Sequence, residues 1–366
     1  MKKVLLFAAA ASVAFTSCVK NEPAPEIGAS DSKITFEAPL VGATTRAKVY
    51  GEINGAYSTD EEFKVWGWYH LNDYTTFADA TNDWKNYMTD GGGAPLTVTY
   101  DGTSTWAPAQ DYFWPKNGKL TFAAYSPADA AGTISHTANG LQITNFTIAD
   151  VGAQYDLMYS DRSYNRTLAA QGDDYYTGSA SNTYTGVDIV FHHALSSIVF
   201  VTGTDKDYQS ADVFFKIKKI TVSNVVNTGS FNEGLTDGNG STTRTPAWTA
   251  GATTANYVAY DNATGFDVPE DGATYTEPTN AADLILLPQT FTTEDATVDI
   301  VYTMGTAASG EIEQTAQFKL KDATNASTWE PNKRYTYRII FGLDKITFAP
   351  IVEPWENVTV TPDINL

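Results

Sequence analysis

The strongest constraint on the fold is the alternation of apolar and polar residues along nearly every candidate element of the chain. Between 33 and 40, for example, Ile34, Phe36, Ala38 and Leu40 occupy every second position. Successive side chains of a strand point to opposite faces, so this period predicts strands with one buried face. No long window has the i, i+3, i+4, i+7 spacing of an amphipathic helix, and the 21 Tyr, 18 Phe and 8 Trp favour pleated sheets. The sequence therefore predicts an all-β protein.

Turn residues separate the candidate strands at short, regular intervals, a pattern typical of β-sandwiches. With 366 residues the chain is long enough for two domains, and a stretch at 161–184 rich in Gly, Ser, Asn and Tyr divides it. We predict two β-sandwich domains in tandem, one over 47–186 and one over 187–366. Asn117-Gly118 between two apolar runs predicts a hairpin, and the low apolar content of 229–250 predicts a surface loop.

The N-terminus has the layout of an export signal. Two lysines precede an almost unbroken apolar run at 4–13, and small and polar residues follow it. The run is too short to span a bilayer, which takes about 20 residues. It leads to Cys18, the single cysteine of the chain, in a setting that resembles the lipobox of bacterial lipoproteins, whose cysteine is acylated. We predict a signal peptide over 1–17, lipid on Cys18, and a polar tether after it.

The charge balance limits the classes of partner. The chain has 23 Lys and Arg against 43 Asp and Glu, which gives a net charge of −20. Such a field repels nucleic-acid phosphates, so we expect no nucleic acid as a partner. A single cysteine also excludes an internal disulfide and a cysteine-based metal site. The composition suits a solvated surface outside the cell.

The last segment of the chain resembles the first strand in its pattern. Four apolar residues near the C-terminus, together with Pro362, alternate with polar ones up to the terminal carboxylate: Val358, Val360, Ile364 and Leu366. An amphipathic strand that ends the chain has no turn after it and no obvious neighbour to pair with. One of the two terminal strands could therefore stand in for the other.

Candidate catalytic groups are few. His192 and His193 are neighbours that point to opposite faces of a strand, so we expect one at the core edge and one in solvent. No phosphate-binding loop, nucleophile elbow or metalloprotease motif occurs. The stretch 237–241 resembles a calcium loop, but Thr242 and Trp248 replace the glycine and the acidic residue that such a loop requires. We therefore expect no catalysis, no cofactor and no metal.

Two further classes stay open from the residues alone. Tryptophans and tyrosines could form a platform that stacks on sugars, although in a β-sandwich they more often fill the core. The many carboxylates could be paired by the fold, as in a glycosidase. Both classes remain alternatives at this point.

Several short motifs, in their order along the chain, resemble the fimbrillin-like proteins of Bacteroidetes, the subunits of lipoprotein-derived (type V) pili. The resemblance covers nearly the whole chain after Cys18 and implies two transthyretin-like β-sandwich domains that assemble into cell-surface fimbriae. The motifs are Trp106-x-Pro108, Tyr112-Phe-Trp-Pro115, Gly118-x-Leu-Thr-Phe-x-Ala-Tyr-Ser-Pro127, Asp156-Leu-Met158, Phe191-His-His-Ala-Leu195, Leu286-Leu-Pro-Gln289, Trp329-x-Pro-x-x-x-Tyr-x-Tyr-x-Ile339, and Ile346-Thr-Phe348 through Val352-x-x-Trp355.

The resemblance also implies a route of assembly. The precursor is exported as a lipoprotein held in the outer membrane through Cys18, and an arginine-specific protease cuts between Arg46 and Ala47. Residues 18–46, the tether with the removable first strand, then leave. The groove left behind accepts the C-terminal strand of another copy or of a related pilin, and a host or bacterial surface ligand is a further expected partner.

Other roles remain as alternatives. Within the family these are a fimbrial tip adhesin, which needs no donor strand, and an anchor subunit, which escapes cleavage. The apolar face of the last strand disfavours a tip, and Arg46 disfavours an anchor. Outside the family, the alternatives are a surface lipoprotein that binds glycans and an all-β glycosidase.

Overall fold

The computed structural model describes residues 29–37, 40–41, 61–73, 84–102, 105–168, 186–209, 211–238 and 241–355. Over these ranges the chain forms strands joined by turns, and its helical elements are two single-turn 3-10 segments, Val151–Ala153 and Leu320–Asp322. The predicted all-β fold is confirmed.

The part of the chain up to residue 193, which we call the first half, supplies thirteen strands. They are β1 Ala29–Lys33, β2 Leu40–Val41, β3 Phe63–His70, β4 Lys85–Met88, β5 Leu96–Tyr100, β6 Trp106–Pro108, β7 Phe113–Pro115, β8 Lys119–Ser126, β9 Thr133–Thr137, β10 Gly140–Thr147, β11 Met158–Ser160, β12 Ser163–Arg166 and β13 Val190–His193.

The second half supplies twelve strands. They are β14 Ser196–Thr204, β15 Phe214–Val226, β16 Thr228–Asn232, β17 Thr236–Gly238, β18 Ser241–Thr243, β19 Ala247–Ala250, β20 Thr254–Asp267, β21 Leu284–Leu286, β22 Thr297–Thr306, β23 Gly310–Lys319, β24 Lys333–Phe341 and β25 Ile346–Pro354.

The largest sheet belongs to the first half and has the order β2-β13-β11-β8-β3-β5-β6, with β12 beside β8 and β4 beside β3. Its central strand β3 is buried on both faces. Phe63 and Val65 face one core, whereas the Trp66 and Trp68 rings lie 5.5 and 5.1 Å from the ring of His136 in β9. This explains why Phe63–His70 is apolar at nearly every position rather than at every second one.

The second half forms a sandwich of two four-stranded sheets, β21-β14-β24-β25 and β20-β15-β22-β23. Side chains of β24 alternate between buried and partly buried, so that every second residue enters the core. Rings contact each other across the two sheets: Phe341 lies 5.5 Å from Phe215 and 5.2 Å from Tyr302, and Phe318 stacks on Phe348 at 4.9 Å. Aromatic contacts of this kind explain the high aromatic content of the chain.

A third sheet, β19-β16-β10-β9, combines strands from both halves. The prediction of a surface loop over 229–250 is therefore wrong. A strand with one buried face needs only every second residue to be apolar, and here Phe231 and Trp248 form a cross-strand pair. Trp248 Nε1 also donates to Ala194 O at 2.6 Å. In this sheet β16 pairs with β10 of the first half. The domain division at residue 187 stays a prediction.

The predicted hairpin at Asn117-Gly118 is also wrong. Gly118 has φ +79, as a tight turn requires, but the strands on its two sides do not pair with each other. β8 already lies between β3 and the strands β11 and β12. β7 pairs with β1 instead.

Candidate functional site

The N-terminal segment runs between the two ends of the first sheet. Phe36 is bridged antiparallel to Trp106 in β6 and parallel to Val187, three residues before β13. On either side of Phe36, β1 pairs with β7 and β2 pairs with β13. The described residues 29–37 and 40–41, which we call the closing segment, therefore join the two ends of the sheet and close it on itself.

Backbone hydrogen bonds hold the closing segment on both sides. Phe36 N donates to Trp106 O at 2.8 Å and Trp106 N donates to Phe36 O at 3.2 Å. On the other side Glu37 N donates to Val187 O at 3.1 Å and Val187 N donates to Thr35 O at 2.8 Å. A strand bonded on both sides is a central strand. Its departure would leave the partner groups of both neighbours unpaired, at a cost of roughly 1–3 kcal/mol for each group that stays buried.

The Phe36 side chain fills an aromatic pocket. It is 1 % exposed, and its ring meets those of Phe63 and Phe122 edge-on at 5.8 and 5.6 Å. The Phe63 ring in turn lies 5.7 Å from Trp106 and 5.8 Å from Phe191. The closing segment thus supplies a ring to the centre of the first core, and without it this pocket would be empty.

The structure places part of the predicted removable strand at this site. Ile34 is 1 % exposed, like Phe36, and Ile34 N donates to Tyr112 O at 2.8 Å. The backbone of Leu40 lies in β2. The Leu40 side chain lies outside the described part of the structure. The same holds for the other predicted site residues: Cys18, Ala38, Arg46, Ala47, Val358, Val360, Ile364 and Leu366.

The distribution of arginines bears on the predicted cleavage. The chain has six, of which five lie in the described ranges. Arg162 and Arg166 are buried. Arg244 and Arg334 form ion pairs with carboxylates, and the guanidinium of Arg338 lies 4.8 Å from the centre of the Tyr275 ring. A protease must draw an extended segment into its active site, so each of these five arginines is a poor substrate in the folded protein.

The two neighbouring histidines are both largely buried, which corrects the expectation that one is in solvent. The His192 side chain is 12 % exposed and His192 Nε2 lies 2.7 Å from Asp161 Oδ1. His193 is 4 % exposed, with Nδ1 2.6 Å from Asp156 Oδ2. The two residues do point to opposite faces of β13, as expected. The face of β13 that carries His192 is covered because strands of the third sheet lie over it. The contact of the Tyr159 and Phe231 rings at 5.2 Å illustrates this packing.

A buried charge cluster joins the two halves of the chain next to His192. Arg244, between β18 and β19, contacts Asp161 of the first half and lies 3.2 Å from Glu233. Glu233 Oε2 accepts from Leu141 N at 2.7 Å. Burial raises the pKa of the Glu233 carboxyl, whereas Asp161 and Glu233 raise the pKa of Arg244 against the opposing effect of burial. Sequence reasoning missed this cluster because its members lie far apart in the chain.

Within the described ranges, no group of three His, Cys, Asp or Glu side chains is arranged to hold a metal ion. In the same part of the chain, no helix is long and apolar enough to cross a membrane. All eight tryptophans fall in these ranges, six of them buried and the other two, Trp84 and Trp248, partly buried. Because none is exposed, the tryptophans do not form a surface platform for sugars.

A comparison with protein families identifies the class of protein. A family model described as fimbrillin-like matches residues 45–355. The match covers most of the chain, so the protein belongs to the fimbrillin-like family. It is a fimbrial subunit of the cell surface, in a family of structural and adhesion proteins rather than enzymes.

Solved structures show which known folds this chain is similar to. A fimbrial protein from Bacteroides vulgatus is 14% identical, with a TM-score of 0.57 over 88% of this chain and 99% of that chain. A fimbrillin from Porphyromonas gingivalis is 11% identical, with a TM-score of 0.40 over 89% of this chain and 98% of that chain. The similarity to the Bacteroides vulgatus protein indicates that the two chains share a fold. No curated protein is significantly similar in sequence.

Proposed function

We propose that this fimbrial subunit is a structural stalk protein that polymerises by replacement of its closing segment. The observation that carries the proposal is the position of Phe36. It is buried in the first core and hydrogen-bonded on both sides, yet it lies before Arg46 in the chain, so a cut after Arg46 would separate it from the strands that it contacts. Such a segment can be exchanged for another strand without unthreading the rest of the sheet.

The proposed route begins with export. The precursor carries lipid on Cys18 and is held in the outer membrane by it. An arginine-specific protease then cuts between Arg46 and Ala47. The burial and pairing of the five described arginines support a single cut, since each of the five is a poor protease substrate in the folded protein.

The C-terminal strand of another subunit then fills the groove. Its backbone groups would bond to β6 and to the residues before β13, as in other cases of β-strand addition. Each Val or Ile side chain that becomes fully buried contributes roughly 1.5–3 kcal/mol. Because donor and acceptor surfaces differ, the contact is head-to-tail and extends into a filament. The donors are other copies of this chain or related pilins.

The N-terminus of the subunits in assembled fimbriae tests this proposal. Intact-mass analysis of fimbriae sheared from the cell surface is expected to give a chain from Ala47 to Leu366. A lipidated chain that begins at Cys18 would instead indicate an anchor that keeps its closing segment, and would contradict the proposal.

A further inference from the structure

We infer that the groove accepts the C-terminal strand of a second copy in one register, with Val360 opposite Trp106 at the site of Phe36. The inference rests on the proposed function and adds how the partner strand is aligned and how well it fits. The register follows from the hydrogen-bond donors that the groove requires and from the position of Pro362 in the tail.

The groove sets two requirements on a strand that runs in the direction of the closing segment. The N–H groups at the sites of Ile34, Phe36 and Glu37 must donate, because each does so in the structure. The side chains at the sites of Ile34 and Phe36 must be apolar, because both are 1 % exposed. The three acceptors are Tyr112 O, Trp106 O and Val187 O, in that order.

Proline has no N–H group and therefore excludes two registers. Pro362 at the site of Phe36 would leave Trp106 O without its donor. Ile364 at that site would move Pro362 to the site of Ile34, where it would leave Tyr112 O without its donor.

Three further groups of registers fail for other reasons. Val358 at the site of Phe36 would place the Glu356 carboxylate in the buried site of Ile34. Leu366 at that site would leave no residue of the segment 356–366 at the position of Glu37, so this segment would supply no N–H to the third acceptor. A shift by one residue would turn Thr359, Thr361 and Asp363 toward the core.

One register remains. It places Val358 at the site of Ile34 and Val360 at the site of Phe36, with N–H groups from Val358, Val360 and Thr361 on the three acceptors. Pro362 then falls at the position of Ala38, beyond those acceptors. Pro362 is thus the residue that fixes the alignment of the joint.

This register leaves the aromatic pocket underfilled. The pocket holds a phenyl ring in contact with Phe63 and Phe122, and the tail from 356 to 366 contains no aromatic residue. Val360 cannot fill the volume of a ring, and a void forfeits packing contacts. The tail of a second copy is therefore a weaker ligand of the groove than the closing segment, and an aromatic residue at this one position strengthens the joint.

A scan with synthetic peptides tests the register. Protein cleaved after Arg46 is mixed with a labelled peptide of residues 356–366, and binding is measured by fluorescence anisotropy. Three variant peptides carry one phenylalanine each, as Val358→Phe, Val360→Phe or Ile364→Phe. We expect the Val360→Phe peptide to bind at least roughly tenfold more tightly than the wild-type peptide, because its ring fills the aromatic pocket. A tenfold gain in affinity corresponds to about 1.4 kcal/mol. The Val360→Phe peptide should also bind more tightly than the Val358→Phe and Ile364→Phe peptides.

The outcomes separate the inference from the proposed function. If the wild-type peptide binds and the largest gain falls at Val358 or Ile364, or at none of the three, the register is wrong but strand replacement stands. If a peptide of residues 29–46 binds again after removal while the wild-type tail peptide does not, the tail is not the donor. The proposed function and the register then both fall.

Discussion

Phe36 and Trp106 exchange both of their backbone hydrogen bonds, at 2.8 and 3.2 Å, across the line where the first sheet closes. The pair joins a residue near the N-terminus to a strand that is about seventy positions later in the chain. The pair is therefore one of the contacts that seal the first core. In the proposed function, a single cut at Arg46 converts the sealed form into the open one.

The first prediction concerns the sealing side chain. Phe36→Ala should lower the free energy of unfolding of the precursor by about 3–5 kcal/mol, because it removes a buried ring from a packed pocket. Val258→Ala, at a surface position 36 % exposed, is the control and should change stability by less than about 0.5 kcal/mol. Urea unfolding followed by tryptophan fluorescence gives both values. Equal stability of the two variants would mean that the closing segment does not seal this core.

The second prediction concerns proteolysis. An arginine-specific protease should cut the folded precursor once, after Arg46, and leave the rest of the chain intact. Arg46→Gln should abolish the cut, whereas Arg244→Gln should not, because Arg244 is held in the buried charge cluster. Mass spectrometry of the fragments identifies the first site of cleavage. Cleavage first at any other arginine would contradict the prediction.

The third prediction concerns lipidation. Cys18→Ala should abolish labelling of the precursor by a fatty-acid probe in cells, since the chain has no other thiol. Ser17→Ala, which keeps a small residue before the cysteine, should label normally. Labelling of Cys18→Ala at the wild-type level would refute the lipoprotein interpretation.

The fourth prediction concerns pH. Burial and the nearby Arg162 lower the pKa of His136 well below its usual value of 6.5. The unfolded chain therefore takes up a proton at this residue before the folded chain does. The resulting stability is complete above about pH 6.5 and is lost as the pH falls toward the folded-state pKa.

His136→Phe keeps a ring packed against Trp66 and Trp68 and removes this titration. Between pH 6.5 and 5, its unfolding free energy should fall less steeply than that of the wild type, by up to about 1.4 kcal/mol per pH unit. Thr133→Ala, on the exposed side of β9, should retain the wild-type slope. Parallel slopes for His136→Phe and the wild type would show that His136 does not titrate in this range.

Local periodicity in the sequence was enough to predict the all-β class and the burial of Ile34 and Phe36. Both depend on residues that are close in the chain, which a period of two captures. Strand partners cannot be read in this way. The prediction of a hairpin at Asn117-Gly118 was wrong because β7 pairs with β1, and no residue near the turn indicates that pairing.

For the candidate site too, local patterns could be predicted from the sequence and long-range partners could not. Alternation predicted the buried face on which Ile34 and Phe36 lie, but the neighbours of Phe36 at Trp106 and Val187 became known only from the structure. The burial of His192 was missed for a related reason. It depends on the sheet of β9, β10, β16 and β19, and the sequence around β16 and β19 has too few apolar residues to predict packed strands.

The most direct test of strand replacement compares two double variants of the tail. Val358→Asp/Val360→Asp places charge on the apolar face of the terminal strand, whereas Thr359→Asp/Thr361→Asp places the same charge on the opposite face. Each protein is cleaved after Arg46 and followed by size-exclusion chromatography and electron microscopy. Strand replacement predicts filaments from the wild type and from the threonine variant, and folded monomers from the valine variant. Filaments formed equally well by the valine variant would show that this segment is not the donor strand.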